Sequence, residues 1–176
     1  MIRPWSRFVG LCLFGAFSSS CQGVSESLQV DGEWAIYRLA DVNVTSDQIR
    51  NEPLSNLTLA AAPLISARDI RSYHWKTHSF ECTSKTDSLL DSLALHAGST
   101  RGVPFVVTVD RERIYVGSFW WIFSSMMPWC PYIELAFPAG PVSREIQLPP
   151  LYQGEDPRSD RRIYRALKNA GVLKEE

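Results

Sequence analysis

The chain has 176 residues, 18 basic and 19 acidic, with a formal net charge of −1. Both signs are interspersed without a block of one sign, which argues against nucleic acid as a partner and against a polybasic membrane patch. A transmembrane helix needs about 20 consecutive apolar residues, and the longest candidate, Phe8 to Phe17, is half that.

Arg3 and Arg7 precede or open that apolar stretch, and Ser18, Ser19 and Ser20 follow it before Cys21. A basic start, an apolar middle of roughly 7–15 residues and small residues before the cut make a secretory signal, so residues 1–20 are read as a signal peptide. The layout resembles a bacterial lipoprotein signal, with Ser18 where the usual lipobox has Leu. That resemblance implies that Cys21 is lipidated and becomes the mature N-terminus. Each buried acyl methylene contributes about 0.8 kcal/mol, so several chains would hold the protein on the membrane. An ordinary signal peptidase cutting near Ser20 would instead release a soluble product with a free Cys21 thiol. Gln22 stands where enteric lipoproteins kept at the inner membrane carry aspartate, so the expected address is the cell envelope, facing the periplasm, with the outer membrane as the proposed leaflet.

Two of the 18 basic residues and none of the 19 acidic ones lie before Cys21, leaving 16 against 19 and a net charge of −3 on the mature chain. Its length suits one domain that buries roughly 70% of its unfolded surface. Residues 21–31, with Gln22, Gly23, Ser25, Glu26 and Ser27, read as lipidated N-terminus and tether, and 32–176 as the domain.

Within the domain, Glu33 to Ala40 alternates as a strand, Val42 to Ser55 is polar loop, and Leu57 to Leu59 is a short strand. Ser66 to Asp69 has the spacing of a capping box opening one helical turn through Ile70. Thr77 to Thr83 alternates again, with His78 at its start. Asp87 to Ala97 switches to the helical period through Leu89, Leu90, Leu93, Ala94 and Ala97, and Gly98 and Gly102 end it. Val103 to Val109 is apolar on both faces, as in a central strand, and Asp110 to Arg113 leads as a hairpin loop into Ile114 to Phe119. Tyr132 to Phe137 and Arg144 to Leu148 are two more strands joined through Pro138 to Pro141. Asp156 caps a last helix with Pro157 at its first position, ended by Gly171. The expectation is an α+β domain of two layers: a mixed sheet of about five to six strands with two main helices, and a right-handed crossover between Thr77 and Phe119.

Two resemblances follow from these residues. Pro63 to Ile70, the helix at 87–97, Pro104 to Asp110 and Ile114 to Gly117 are similar in layout to the periplasmic domain of SecD-type export proteins, which bears on fold alone. Arg113 to Trp120, the Ser124-Ser125 pair and Asp156 to Asp160 resemble an uncharacterised family of bacterial lipoproteins. That family implies no activity.

Four cysteines become two once Cys12 leaves with the signal and Cys21 is acylated. In an oxidising compartment, Cys82 and Cys130 are expected to form one disulfide closing a loop of about 48 residues, with two buried thiols as the alternative. His74 and His78 have helical zinc spacing, with Glu81 near, but on a strand i and i+4 lie about 13 Å apart, so no metal is expected. Glu155, Asp156 and Asp160 read as helix caps rather than an acid–base pair. No Gly-x-Ser-x-Gly elbow surrounds Ser118, Ser124 or Ser125, and no phosphate loop or dinucleotide fingerprint is present, so no cofactor is expected.

The densest chemical signal is Phe119, Trp120, Trp121, Phe123, Met126, Met127, Trp129 and Tyr132 within 14 residues. Prolines 128 and 131 keep the segment irregular, and exposed aromatic and Met side chains mark binding surfaces. Trp120, Met126, Met127, Trp129 and Tyr132 are the candidate binding residues, with Trp120 and Trp129 expected to be exposed. The sequence therefore points to a non-catalytic binding or accessory module for an envelope protein. The alternative is an envelope hydrolase or metal-dependent enzyme using His78 with Cys82 or a bound metal.

Overall fold

The structure, a computed structural model, describes residues 32–96, 100–135 and 144–176. The signal, Cys21 and the tether lie outside these residues, as do Ala97, Gly98, Ala136, Phe137 and the 138–141 turn. In chain order the elements are β1 (Trp34–Arg38), β2 (Ile65–Ser66), β3 (Ile70–His74), β4 (Ser79–Cys82), α1 (Ser84–His96), β5 (Val103–Val109), β6 (Glu112–Trp121), β7 (Tyr132–Leu135), β8 (Arg144–Gln147), α2 (Arg161–Asn169) and β9 (Leu173–Lys174).

The nine strands among the described residues form one sheet in the order β2-β1-β5-β6-β7-β8-β4-β3-β9. The α+β class and the two helices agree with the sequence reading, whereas the strand number is nine rather than five to six. The sheet is mixed, since β6–β7 and β3–β9 are parallel and the other strand pairs antiparallel. The crossover expected between Thr77 and Phe119 is not formed. Strands β4 and β5 are separated by β6, β7 and β8, and the pairings make them antiparallel to each other.

The sheet curls. In a flat sheet β1 and β4 would stand five strand spacings apart, about 24 Å. Yet the Trp34 ring on β1 meets Phe80 of β4 at 6.2 Å and Tyr73 of β3 at 5.9 Å, both edge to face. Both helices contribute to the core enclosed by this curl, Leu90 and Ala94 from α1, and Ile163, Ala166 and Leu167 from α2. Helix α2 packs on β1 and β5 near one edge and on β9 at the other.

A second apolar cluster covers the opposite face of β1 and β5. Leu39 and Val106 meet Ile49 and Leu57, with Val44, Leu54, Leu59, Val116 and Trp129 packed around them. The 42–59 segment, expected as loop plus a short strand, is folded over this face by two 3-10 turns at Ser46–Ile49 and Leu54–Asn56 and one bridge, Leu39 to Leu59. The capping box at Ser66 is present, with Asp69 Oδ2 accepting from Ser66 N at 2.8 Å and Oγ at 2.7 Å, and it opens a 3-10 turn before β3. Asp156 likewise caps a 3-10 turn at Pro157–Ser159, and Asp160 caps α2 itself.

Candidate functional site

The aromatic and Met-rich segment is a crossover. Residues 122–131 connect the parallel neighbours β6 and β7, and because Tyr132 pairs with Ser118 the chain need return only from the level of Trp121 to that of Ser118, about 10 Å by strand rise, which ten residues manage where such connections usually take a dozen or more. The short return keeps it against the sheet. Trp129 packs in the second cluster and its Nε1 donates to Ser46 O at 3.1 Å.

The expected exposure of Trp120 is overturned. Its ring does point away from Phe119, as alternation requires, but that side of the sheet is covered, and Trp120 is only 4% exposed. Its Nε1 donates to Met126 O at 3.2 Å. Gly102 has φ +73°, and a Cβ there would come within 2.5 Å of the Trp120 ring, so the glycine admits both the turn and the indole. Trp129 is half-buried, not exposed, and Tyr132 is half-buried with its hydroxyl donating to Gln147 Oε1 at 2.7 Å.

The exposed members are Met126 at 40%, Met127 at 66% and Phe123 at 75%, with Ile122 at 50% beside them. Residues that the sequence reading had not singled out complete the surface. Pro149, Pro150, Leu151 and Tyr152 follow β8 and form the second wall of a groove of about 280 Å³ against Met127, Pro128 and Trp129, with Arg50 at the rim. Leu151 is 88% exposed. The visible signal was the Pro-Pro-Leu-Tyr run, an apolar pair behind two residues that cannot join a ladder.

His78 belongs to a separate cluster. It occupies the turn before β4, not the strand, with φ 51°. Its Nδ1 lies 3.1 Å from the Tyr73 hydroxyl, and its Nε2 lies 3.5 Å from Ser159 Oγ and 3.7 Å from Asp156 Oδ2. Asp156 is held by Arg158 through two side-chain bonds of 2.7 and 2.9 Å, and Arg158 also donates to Ile146 O at 2.6 Å. The arrangement ties the β3–β4 turn to the segment before α2. As a base it is poor. Burial, with the Arg158 charge, lowers the His78 pKa to about 4, although Asp156 pulls it up. Trp75 covers the ring at 5.3 Å.

Acid should therefore weaken the fold through His78. The folded state refuses a proton that the unfolded chain accepts near 6.5, so stability is complete above that pH and falls as pH drops toward about 4. The expected loss over that window is of order 2 kcal/mol after discounting for relaxation. Denaturant titrations at pH 7 and pH 4.5 should show it, and His78→Asn, which suits a left-handed turn, should flatten the slope. An unchanged slope in the variant would assign the acid sensitivity elsewhere.

The structure does not join Cys82 to Cys130; both are free and buried. By register, Cys82 lies past the Arg144 end of β8 and Cys130 past its Gln147 end, roughly 20 Å apart by strand rise, beyond the reach of a bridge. Burial, with Asp87 nearby, pushes the Cys82 thiol up to about 12, and burial pushes Cys130 up to about 11 against a bond to Ser118 Oγ at 3.6 Å. Neither is a ready nucleophile, and Cys82 has no hydrogen bond to His78 among the described residues. Iodoacetamide should leave both thiols untouched in folded protein and modify both after unfolding; a linked peptide pair under non-reducing conditions would contradict this placement.

Among the described residues no group of three or more His, Cys, Asp or Glu side chains is placed to hold a metal ion, and no helix is long and apolar enough to cross a membrane. No family model, no curated protein and no solved structure matches the chain.

Proposed function

We propose that this protein is an envelope lipoprotein, anchored through Cys21, whose domain is a non-catalytic docking module for another envelope protein. The observation that carries the docking is the groove at which Met127 of the crossover, 66% exposed, and Leu151 of the 149–152 segment, 88% exposed, come together, with Phe123, 75% exposed, elsewhere on the crossover. Large apolar side chains left in water at one place are characteristic of partner surfaces. The anchor is supported by the Arg3/Arg7, Phe8–Phe17 and Ser18–Ser20 layout before Cys21.

The position of the surface favours a protein over the bilayer that holds the anchor. The chain enters the domain at Gly32, which packs against Val109 and Ala166 at the hairpin end of β5 and β6. The crossover leaves β6 at its other end, ten residues away, about 30 Å by strand rise. The crossover thus stands at the strand end remote from Gly32, where a partner can reach it without first meeting the point of attachment.

A photo-crosslinking residue at Phe123 or Met127 in cells should give one discrete adduct, and the same probe at exposed Glu155 none. Labelled fatty acid should enter the wild type and not Cys21→Ala. Adducts of equal yield at all three positions would remove the docking reading, and label retained by Cys21→Ala would remove the anchor.

A further inference from the structure

We propose that the groove between residues 127–129 and 149–152 binds an extended, proline-rich segment of the partner protein, with a carboxylate side chain of that segment paired to Arg50. This rests on the reading that the crossover face docks a protein and specifies the chemistry of what is docked.

The groove is poorly suited to extending a sheet. Pro128, Pro149 and Pro150 have no N–H to offer, and the Tyr152 N–H is engaged by Pro149 O at 3.0 Å. The prolines interrupt both walls, so a partner strand could not pair continuously along either, which disfavours recognition by strand addition. What the groove offers is aromatic and apolar surface. Pro128 and Pro149 are buried as its floor, and Trp129 and Tyr152 are half-buried walls. The Trp129 indole is fixed by its bond to Ser46 O. Aromatic-lined grooves of this kind accept a polyproline II helix, which binds by ring-on-ring packing and loses little chain entropy because it is already extended. The volume of about 280 Å³ suits two or three side chains of such a segment.

Arg50 sets the charge. It is exposed at the rim and has no ion-pair partner among the described residues, while a guanidinium offers five donors in a planar fork matched to a carboxylate. An acidic side chain following the prolines satisfies it. A wholly apolar segment leaves it in water.

The experiment uses the full mature protein and the peptide Ac-Leu-Pro-Pro-Leu-Pro-Glu-NH2, followed through the Trp129 indole resonance, assigned with Trp129→Phe. Saturable binding is expected, weakened about two- to fivefold when the peptide's Glu is replaced by Gln, as for an exposed ion pair, and by more when its prolines are replaced by Gly. Arg50→Gln should erase the preference for Glu over Gln, and Leu151→Ser should weaken both peptides equally. Both variants change exposed side chains and should keep the wild-type fold, checked by the dispersion of the remaining indole resonances. Absence of saturable binding by either peptide, equal affinity for Glu and Gln forms, or a stronger response of the same indole to phosphatidylglycerol vesicles would each overturn the inference. Crosslinks at Met127 without any peptide binding would overturn it too, and would leave the docking reading standing.

Discussion

Trp120→Ser should cost about 3–5 kcal/mol of folding stability, the range for deleting a large buried aromatic. The side chain is 4% exposed, and its removal opens a cavity between Gly102 and the crossover. It also leaves Met126 O without the indole donor that now reaches it. Trp129→Ser, at a half-buried position, should cost roughly half as much, and Phe123→Ser and Met127→Ser should stay within about 0.5 kcal/mol. Denaturant midpoints at constant slope would give this ordering. A Trp120→Ser protein within about 1 kcal/mol of wild type would mean that the outer face is not closed as described. Gly102→Ala supplies an independent check, since its Cβ meets the same ring in a left-handed turn, and it should be destabilising although it adds one carbon.

That ordering also separates what the residue pattern could and could not convey. Alternation correctly set Trp120 opposite Phe119, but it is silent on whether the opposite face meets water. Here it meets the 42–59 segment and the crossover, whose route depends on the parallel pairing of Ser118 with Tyr132. The uninterrupted run Val103 to Val109 was legible as a central strand because a strand buried on both sides carries no polar phase, and all seven of its residues are buried. Strand β3 was illegible for a local reason. A register shift between Ile70 and Ser72 places Ser72 and Tyr73 in succession among the buried residues, which breaks the period of two. The pairing of Leu173 with Tyr73 is tertiary, and two residues carry no pattern of their own. Of the site, Met126 and Met127 could be found from composition, whereas Arg50 and Leu151 are brought to the groove by the fold, from segments 77 and 24 residues to either side of Met127.

The largest electrostatic effect is expected at Arg144, which no motif marks. It lies on β8, 5% exposed, and its guanidinium reaches Asp91 Oδ1 at 3.2 Å and Asp87 Oδ1 at 3.7 Å on α1. This is the charged clasp between that helix and the sheet. Arg144→Ala removes the cation they share and leaves two partly buried carboxylates uncompensated, a change that costs about 2–3 kcal/mol, below the range for a fully buried pair because Asp87 and Asp91 keep some contact with water. The triad is not thereby a net source of stability, because assembling it required stripping water from three charges. Replacing all three by apolar side chains, Arg144→Met with Asp87→Leu and Asp91→Leu, should therefore recover most of the loss and return the protein to within about 1 kcal/mol of wild type. The cycle of single, double and triple variants, read by denaturant unfolding, isolates the coupling. If the triple variant is as unstable as Arg144→Ala, the lost contribution is packing of the arginine stem rather than charge; if Arg144→Ala alone is nearly neutral, the helix is held by Leu90 and Ala94 without help from the clasp.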